Sequence, residues 1–159
     1  MSELSLEEQA VNYATLRHIE SVRNVLNAVI VELLKRGESH DQLKLEQPEL
    51  SGFLTHTHKL GSTEYNSPEY KAMLEELKPT LAHHYANYRH HPEHFPNGLD
   101  DMNLVDIIEM FCDWKASTSR NKNGNLLQSI ENNRSRFRMS DQMINVFKNT
   151  ATLFDEKKF

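Results

Sequence analysis

The sequence predicts an all-α fold, a single compact multi-helix domain spanning residues 1–159. Three observations carry that prediction. Apolar residues recur at three- and four-residue spacing in several separate stretches, as on one face of a helix. Start and stop signals (Ser67-Pro68, Gly37, Gly98) fall between those stretches. No segment alternates apolar and polar residues with the period of two expected of a half-buried strand, and no internal repeat is visible.

The elements follow in order. Residues 4–36 place Tyr13, Leu16, Val22, Val25, Leu26, Val29, Ile30, Leu33 and Leu34 at near-helical spacing, and Gly37 after Lys35-Arg36 suits a C-terminal stop. Ser39, with Gln42 three positions on, suits a capping box for a short helix carrying His40 and Asp41. Pro48 and Gly52 interrupt, and residues 55–66 read as a loop holding His56 and His58. Ser67-Pro68 opens a helix towards His91, with Pro79 expected to kink or divide it. The two prolines and Gly98 in "HHPEHFPNGLDD" mark a loop. "MNLVDIIEMFCDWKAST" then forms a helix burying Leu104, Ile107, Ile108, Phe111 and Trp114. "SRNKNGN" breaks the chain again, and two last helices are expected near 125–136 and 141–155, the latter packing Ile144, Phe147, Ala151 and Phe154.

Composition narrows the function. The 159 residues carry a net charge of −5, with 38% apolar and 26% charged residues, an ordinary globular balance. An acidic chain makes a broad nucleic-acid-binding face an unlikely design, although a local basic pocket is compatible with it. No run reaches the roughly 20 apolar residues of a membrane span. The acidic start "MSELSLEEQAVN" is unlike a secretory signal, so a cytoplasmic protein is expected. Cys112 is the sole cysteine, which excludes an internal disulfide and a thiolate zinc cage. Any metal must therefore be held by histidines and carboxylates.

Five of the nine histidines fall within "HHYANYRHHPEH", residues 83–94. Leu77, Leu81, His84, Tyr88 and His91 share one stripe of the expected helix, so His84 and His91 face inward, whereas His83, Asn87, His90 and His94 form a more polar stripe. On an ideal helix His84 and His91 lie about 10 Å apart and cannot share an ion unless the helix ends between them. The adjacent His40-Asp41 in "HDQLK" can set an imidazole and a carboxylate around one cation, with Lys44 as a mobile charge for a phosphate oxygen or simply a surface lysine. Asp113 sits beside Cys112 and Trp114, where an unpaired carboxylate is costly. Asp106 and Glu109 share its face and fit a solvated acidic stripe equally well.

His18 in "LRHIESV", His40-Asp41, the 83–94 histidines and Asp113 in "CDWKAS", taken in order, resemble the HD superfamily of metal-dependent hydrolases, over roughly residues 13–120. The chain looks closest to an uncharacterised branch found in phages and bacteria. The resemblance implies an all-helical fold with one or two divalent ions (Mn, Mg, Zn, Co or Fe). It also implies metal ligands His18, His40, Asp41 and Asp113, with His84 and His91 completing a second site or meeting substrate and Lys44 near the phosphate. One departure stands out: a straight helix over 18–36 spans about 27 Å, more than the next few residues can retrace. Either the helix turns near Asn27 or His18 and His40 do not share one ion, and the smooth apolar spacing through Asn27 favours the continuous helix.

The leading expectation is metal-assisted hydrolysis of a small phosphorylated substrate, in the main a nucleotide. His84, His91 or Glu93 would handle the proton, and Lys44 or an arginine (Arg89, Arg120, Arg134, Arg136 or Arg138) would stabilise phosphate charge. A di-iron oxygenase on the same scaffold is the first alternative, and a non-catalytic binder stapled by a metal is the second. Paired helical faces also allow a homodimer.

Overall fold

The computed structural model describes residues 4–63, 67–120 and 124–155. Residues 64–66 and 121–123, assigned above to loops, and the side chains of His58 and Arg120 lie outside the described residues. The all-α expectation holds: every element among the described residues is an α-helix or a short 3-10 turn. No helix among them is long and apolar enough to cross a membrane.

The chain forms two compact units, Met1–Ser39 and His40–Phe159. The first is built on α1 (Leu6–Ser39). Its start is a capping box: the Ser5 N–H donates to Glu8 Oε2 at 2.7 Å, and the Glu8 N–H donates to Ser5 Oγ at 3.2 Å. Gly37 does not stop the helix, which continues to Ser39. There the Ser39 hydroxyl donates back to the Lys35 carbonyl at 3.1 Å instead of opening a new helix. No residue of α1 is buried.

The second unit holds α2 (Glu49–Ser62), α3 (Pro68–Asn87), α4 (Leu104–Arg120), α5 (Leu126–Arg136) and α6 (Asp141–Asp155). Three 3-10 turns join them, at Gln42–Leu45, Pro92–His94 and Gly98–Asp101. One core is apolar: Met110 and Phe111 of α4 pack with Leu126 and Ile130 of α5, Met139, and Ile144, Phe147 and Ala151 of α6. Trp114, Phe137 and Phe154 close its edge. Each of these side chains removes apolar surface from water at about 25 cal/mol per Å², and this core fixes α4.

Three expectations fail here for physical reasons. Residues 55–62 are helical where a loop was expected, and the helix runs through Gly52, which serves close packing and does not break it. A Cβ at Gly52 would stand 1.9 Å from Thr80 Oγ1 of α3, so only glycine lets α2 and α3 approach so closely. Pro79 leaves α3 undivided. On α4, Leu104 is 78% and Ile108 39% exposed, whereas Asp106 and Glu109 are buried. The helix therefore has two inward faces, one apolar towards α5 and α6 and one acidic.

Candidate metal centre

That acidic face meets the histidines. His40 and Asp41 open the second unit, with Asp41 in the left-handed region at φ 58°, capping the Gln42–Leu45 turn. A non-glycine residue there is uncommon, and aspartate is among those that tolerate it. The Leu43 N–H donates to the Tyr88 hydroxyl at 2.6 Å, tying this turn to the end of α3.

His84 lies in the last turn of α3. The helix ends at Asn87, not at His91, and Tyr88 is extended at φ −120°. Further on, the buried Pro92 holds His91 extended, since it disfavours helical backbone at the residue before it. The released segment is pinned by Arg89, whose guanidinium donates to both oxygens of the wholly buried Asp106 at 3.1 and 2.9 Å. His90 and His91 thus turn back towards His84. His90, placed on the polar stripe by its spacing, is only 1% exposed.

Three overlapping donor groups result, each with its atoms within 4.8 Å of one another: Asp41, His84, His90 and His91; His40, His90 and Glu109; His40, Asp41 and Asp113. His84 Nε2 is 3.0 Å from His91 Nε2 and 3.3 Å from Asp41 Oδ1, which is 3.7 Å from His90 Nε2. His40 Nε2 is 3.6 Å from Asp41 Oδ2 and 3.8 Å from Asp113 Oδ1. Adjacent donors around an ion bonded at about 2.1 Å are separated by about 3.0–3.4 Å, in octahedral or tetrahedral arrangement. The spacing matches a first coordination shell drawn slightly open.

The partners behind the rings agree with that. The Nδ1 atom of His40 is 2.9 Å from Glu109 Oε1, that of His84 2.9 Å from Glu49 Oε2, and that of His83 2.8 Å from Glu49 Oε1. His90 Nδ1 stands 3.0 Å from Glu109 Oε1, but too far off line for a hydrogen bond. Asp41 Oδ1 and both ring nitrogens of His90 are buried without hydrogen-bond partners. Buried polar atoms seldom go unsatisfied, and a divalent cation between Asp41 Oδ1 and His90 Nε2, 3.7 Å apart, would satisfy both. The residues fit a metal ion.

Residues 7–153 match a family of unknown function (DUF5662). The chain belongs to that family. No curated protein and no solved structure matches it. The span matched to DUF5662 takes in every donor residue of the cluster.

Charge in this DUF5662 centre is unevenly held. Asp113, then Glu109, raise the His40 pKa to about 10 against the effect of burial. Burial alone would raise the carboxyl of Asp41, but His84 and Lys44 outweigh it and hold that carboxyl far below the usual range. Glu109 follows the same pattern: the bond from His40 and the neighbouring His90 ring overcome burial and lower it to about 2. Asp113 is lowered against burial chiefly by His40. His91 is pushed down to about 3, first by burial and then by the neighbouring His90 and His84.

Of the residues named from sequence, the fold brings His40, Asp41, His84, His91 and Asp113 together, with Lys44 Nζ 2.5 Å from Asp41 Oδ2. His18 belongs to none of the three groups. Within α1 it lies about 32 Å along the axis from Ser39, at 1.5 Å per residue. Glu93 is engaged by Arg136 at 2.5 Å and joins no group. Sequence reasoning missed His90, Glu109 and Glu49. Pro92 marked the helix end that frees His90, and Glu109 stands one turn before Asp113 on the same face. Nothing local marked Glu49.

Proposed function

We propose that the chain is a metal-dependent phosphohydrolase acting on a nucleotide or related phosphoester. The observation that carries this reading is the convergence of imidazole Nε2 atoms with Asp41 and Asp113 at first-shell spacing, with Lys44 beside them. A bound divalent ion supplies Lewis-acid polarisation and lowers the pKa of a water towards neutrality. His40, Asp41, His84, His90, His91 and Asp113 would hold it. Glu109 and Glu49 would keep the ring nitrogens behind His40 and His84 protonated and their Nε2 lone pairs directed inward.

Lys44 is suited to the phosphate. Its side chain is 35% exposed, and its ammonium is paired with Asp41 and lies 5.3 Å from the centre of the Phe53 ring, so it can swing towards an incoming phosphoryl oxygen. His91, uncharged above about pH 3, can take a proton from an attacking water if the ion is held by the other donors, a role that needs a pKa raised by the anionic substrate. The likeness to HD hydrolases supports the same chemistry through His40-Asp41 and Asp113, although His18 does not fill the family's first-histidine position.

The two oxygens of Asp41 belong to different donor groups, which favours a second reading with two ions, including a di-iron oxygenase. The deciding experiment is turnover of a nucleotide and aryl-phosphate panel by protein reconstituted with Mn²⁺, Co²⁺, Zn²⁺ or Fe²⁺. Metal-dependent phosphate release lost in Asp41→Ala supports the hydrolase. Two bound irons with oxygen consumption and no phosphate release would replace it with the oxygenase.

A further inference from the structure

We propose that Glu49 is a positioning residue that fixes the tautomer of His84, and through it the lone pair which that histidine offers to the centre. This rests on the metal-binding part of the reading above. Glu49, in the first turn of α2, is 0% exposed. Both of its oxygens are engaged, by His83 Nδ1 at 2.8 Å and His84 Nδ1 at 2.9 Å. A carboxylate accepts and does not donate, so each bond requires its hydrogen on Nδ1. In a neutral imidazole, which carries a single N–H, that would leave His84 Nε2 bare, 3.3 Å from Asp41 Oδ1 and 3.0 Å from His91 Nε2.

The other tautomer would set two lone pairs against each other at 2.9 Å in a site closed to water. It would also place an N–H where a cation must sit. The two adjacent histidines have different tasks. His84 is 1% exposed and belongs to a donor group, whereas the His83 side chain is 39% exposed and belongs to none. His83 meets only the second oxygen of Glu49, from the solvent side. A first-turn glutamate often serves only to complement the helix dipole at the surface. The full burial of Glu49 and its engagement of both imidazoles go beyond that task.

The experiment titrates Co²⁺ into the metal-free full chain, as wild type, Glu49→Gln and His83→Ala. Glutamine keeps the shape but removes the negative charge behind His84, so the Kd for Co²⁺ is expected to weaken about 10–100-fold, with an altered visible spectrum. Metal-free melting should stay unchanged, and His83→Ala should remain within threefold of wild type. A Glu49→Gln affinity within threefold of wild type overturns the proposal, as does an equal loss in His83→Ala. The tautomer of His84 is read independently by nitrogen-15 NMR of the metal-free wild type at pH 8. A hydrogen on Nδ1 is expected, and a hydrogen on Nε2 overturns the proposal even if Glu49→Gln fails to fold. Wild type that binds no Co²⁺ while His84 keeps the Nδ1 hydrogen would count against the metal centre and leave the positioning role standing.

Discussion

The Nε2 atoms of His84 and His91 stand 3.0 Å apart, although the two residues are separated by two turns' worth of chain. An unbroken helix would hold them about 10 Å apart. The break after Asn87 closes that gap and aims two ring nitrogens at one point. Metal at 100 times its Kd stabilises a fold by about 2.7 kcal/mol, or about 5–10 °C in a chain of this size. Removing one donor through His91→Ala and weakening binding a hundredfold would leave about 0.4 kcal/mol, a rise near 1 °C. Thermal melts of the chelated protein, with and without added Zn²⁺ or Co²⁺, check this. A full-sized rise in His91→Ala would remove His91 from the ligand set.

The proton on His40 leads to a pH prediction. Asp113 and Glu109 raise its pKa from 6.5 to about 10 in the folded state. A folded pKa above the unfolded one contributes stability that is complete below 6.5 and is lost as pH rises through about 10. The metal-free protein should therefore unfold at progressively lower urea between pH 6.5 and 9.5. Metal occupies the place of that proton, so the loaded protein should show a much flatter profile. Calorimetry at pH 8 in buffers of different ionisation enthalpy should detect proton release on binding; no release would contradict a metal ligated by His40.

How much of this was legible follows from what each signal reports. Helical spacing of apolar residues reports burial in a hydrophobic core, and it located α5 and α6 with Ile144, Phe147 and Ala151 on the inner side. The same rule found one inner side of α4, with Ile107, Phe111 and Trp114 against the core, and missed the other, because Asp106 and Glu109 are buried by ionic and hydrogen-bonded partners, which periodicity of apolar residues does not detect. Gly52 reads as a breaker in sequence, yet its missing Cβ is a packing device visible only once Thr80 is known to face it. His40-Asp41 was legible because adjacent residues keep their relation in any fold. The pairing of Glu49 with His84 spans 35 positions, and no local pattern encodes it.

Arg89 should matter for the centre without touching it. Its two bonds reach Asp106, which is wholly buried, from a side chain that is 41% exposed. Arg89→Ala takes the guanidinium from that carboxylate and leaves the Asn103 N–H bonded to it, at a cost of about 2–3 kcal/mol once solvent screening at the arginine is allowed for. Because the bonds hold the non-helical segment carrying His90 and His91, metal affinity should fall with stability. Lysine cannot reproduce the two-pronged contact, so Arg89→Lys should recover less than half of the loss. Urea midpoints and Co²⁺ titrations of the same samples check both. Lower stability with unchanged affinity would show that the segment is held by something else.

Gly52→Ala tests whether the approach of α2 to α3 positions the donors. In an exposed helix interior the change would stabilise by about 1 kcal/mol through backbone entropy. Here the new methyl would stand 1.9 Å from Thr80 Oγ1 and 2.7 Å from Thr80 Cγ2, so the helices must separate. Overpacking of this kind costs about 1–3 kcal/mol and outweighs the propensity gain. Glu49 lies one turn before Gly52 on the helix that would move, so its bonds to His83 and His84 lengthen and metal affinity falls as well. Thr80→Ala removes two of the three clashing atoms and leaves Cβ at 2.8 Å, so the double variant should regain part of both losses. Thermal melting and Co²⁺ titration of the two single variants and the double variant read the outcome. A more stable Gly52→Ala protein with unaltered affinity would mean that the interface yields freely and that its closeness does not set the site.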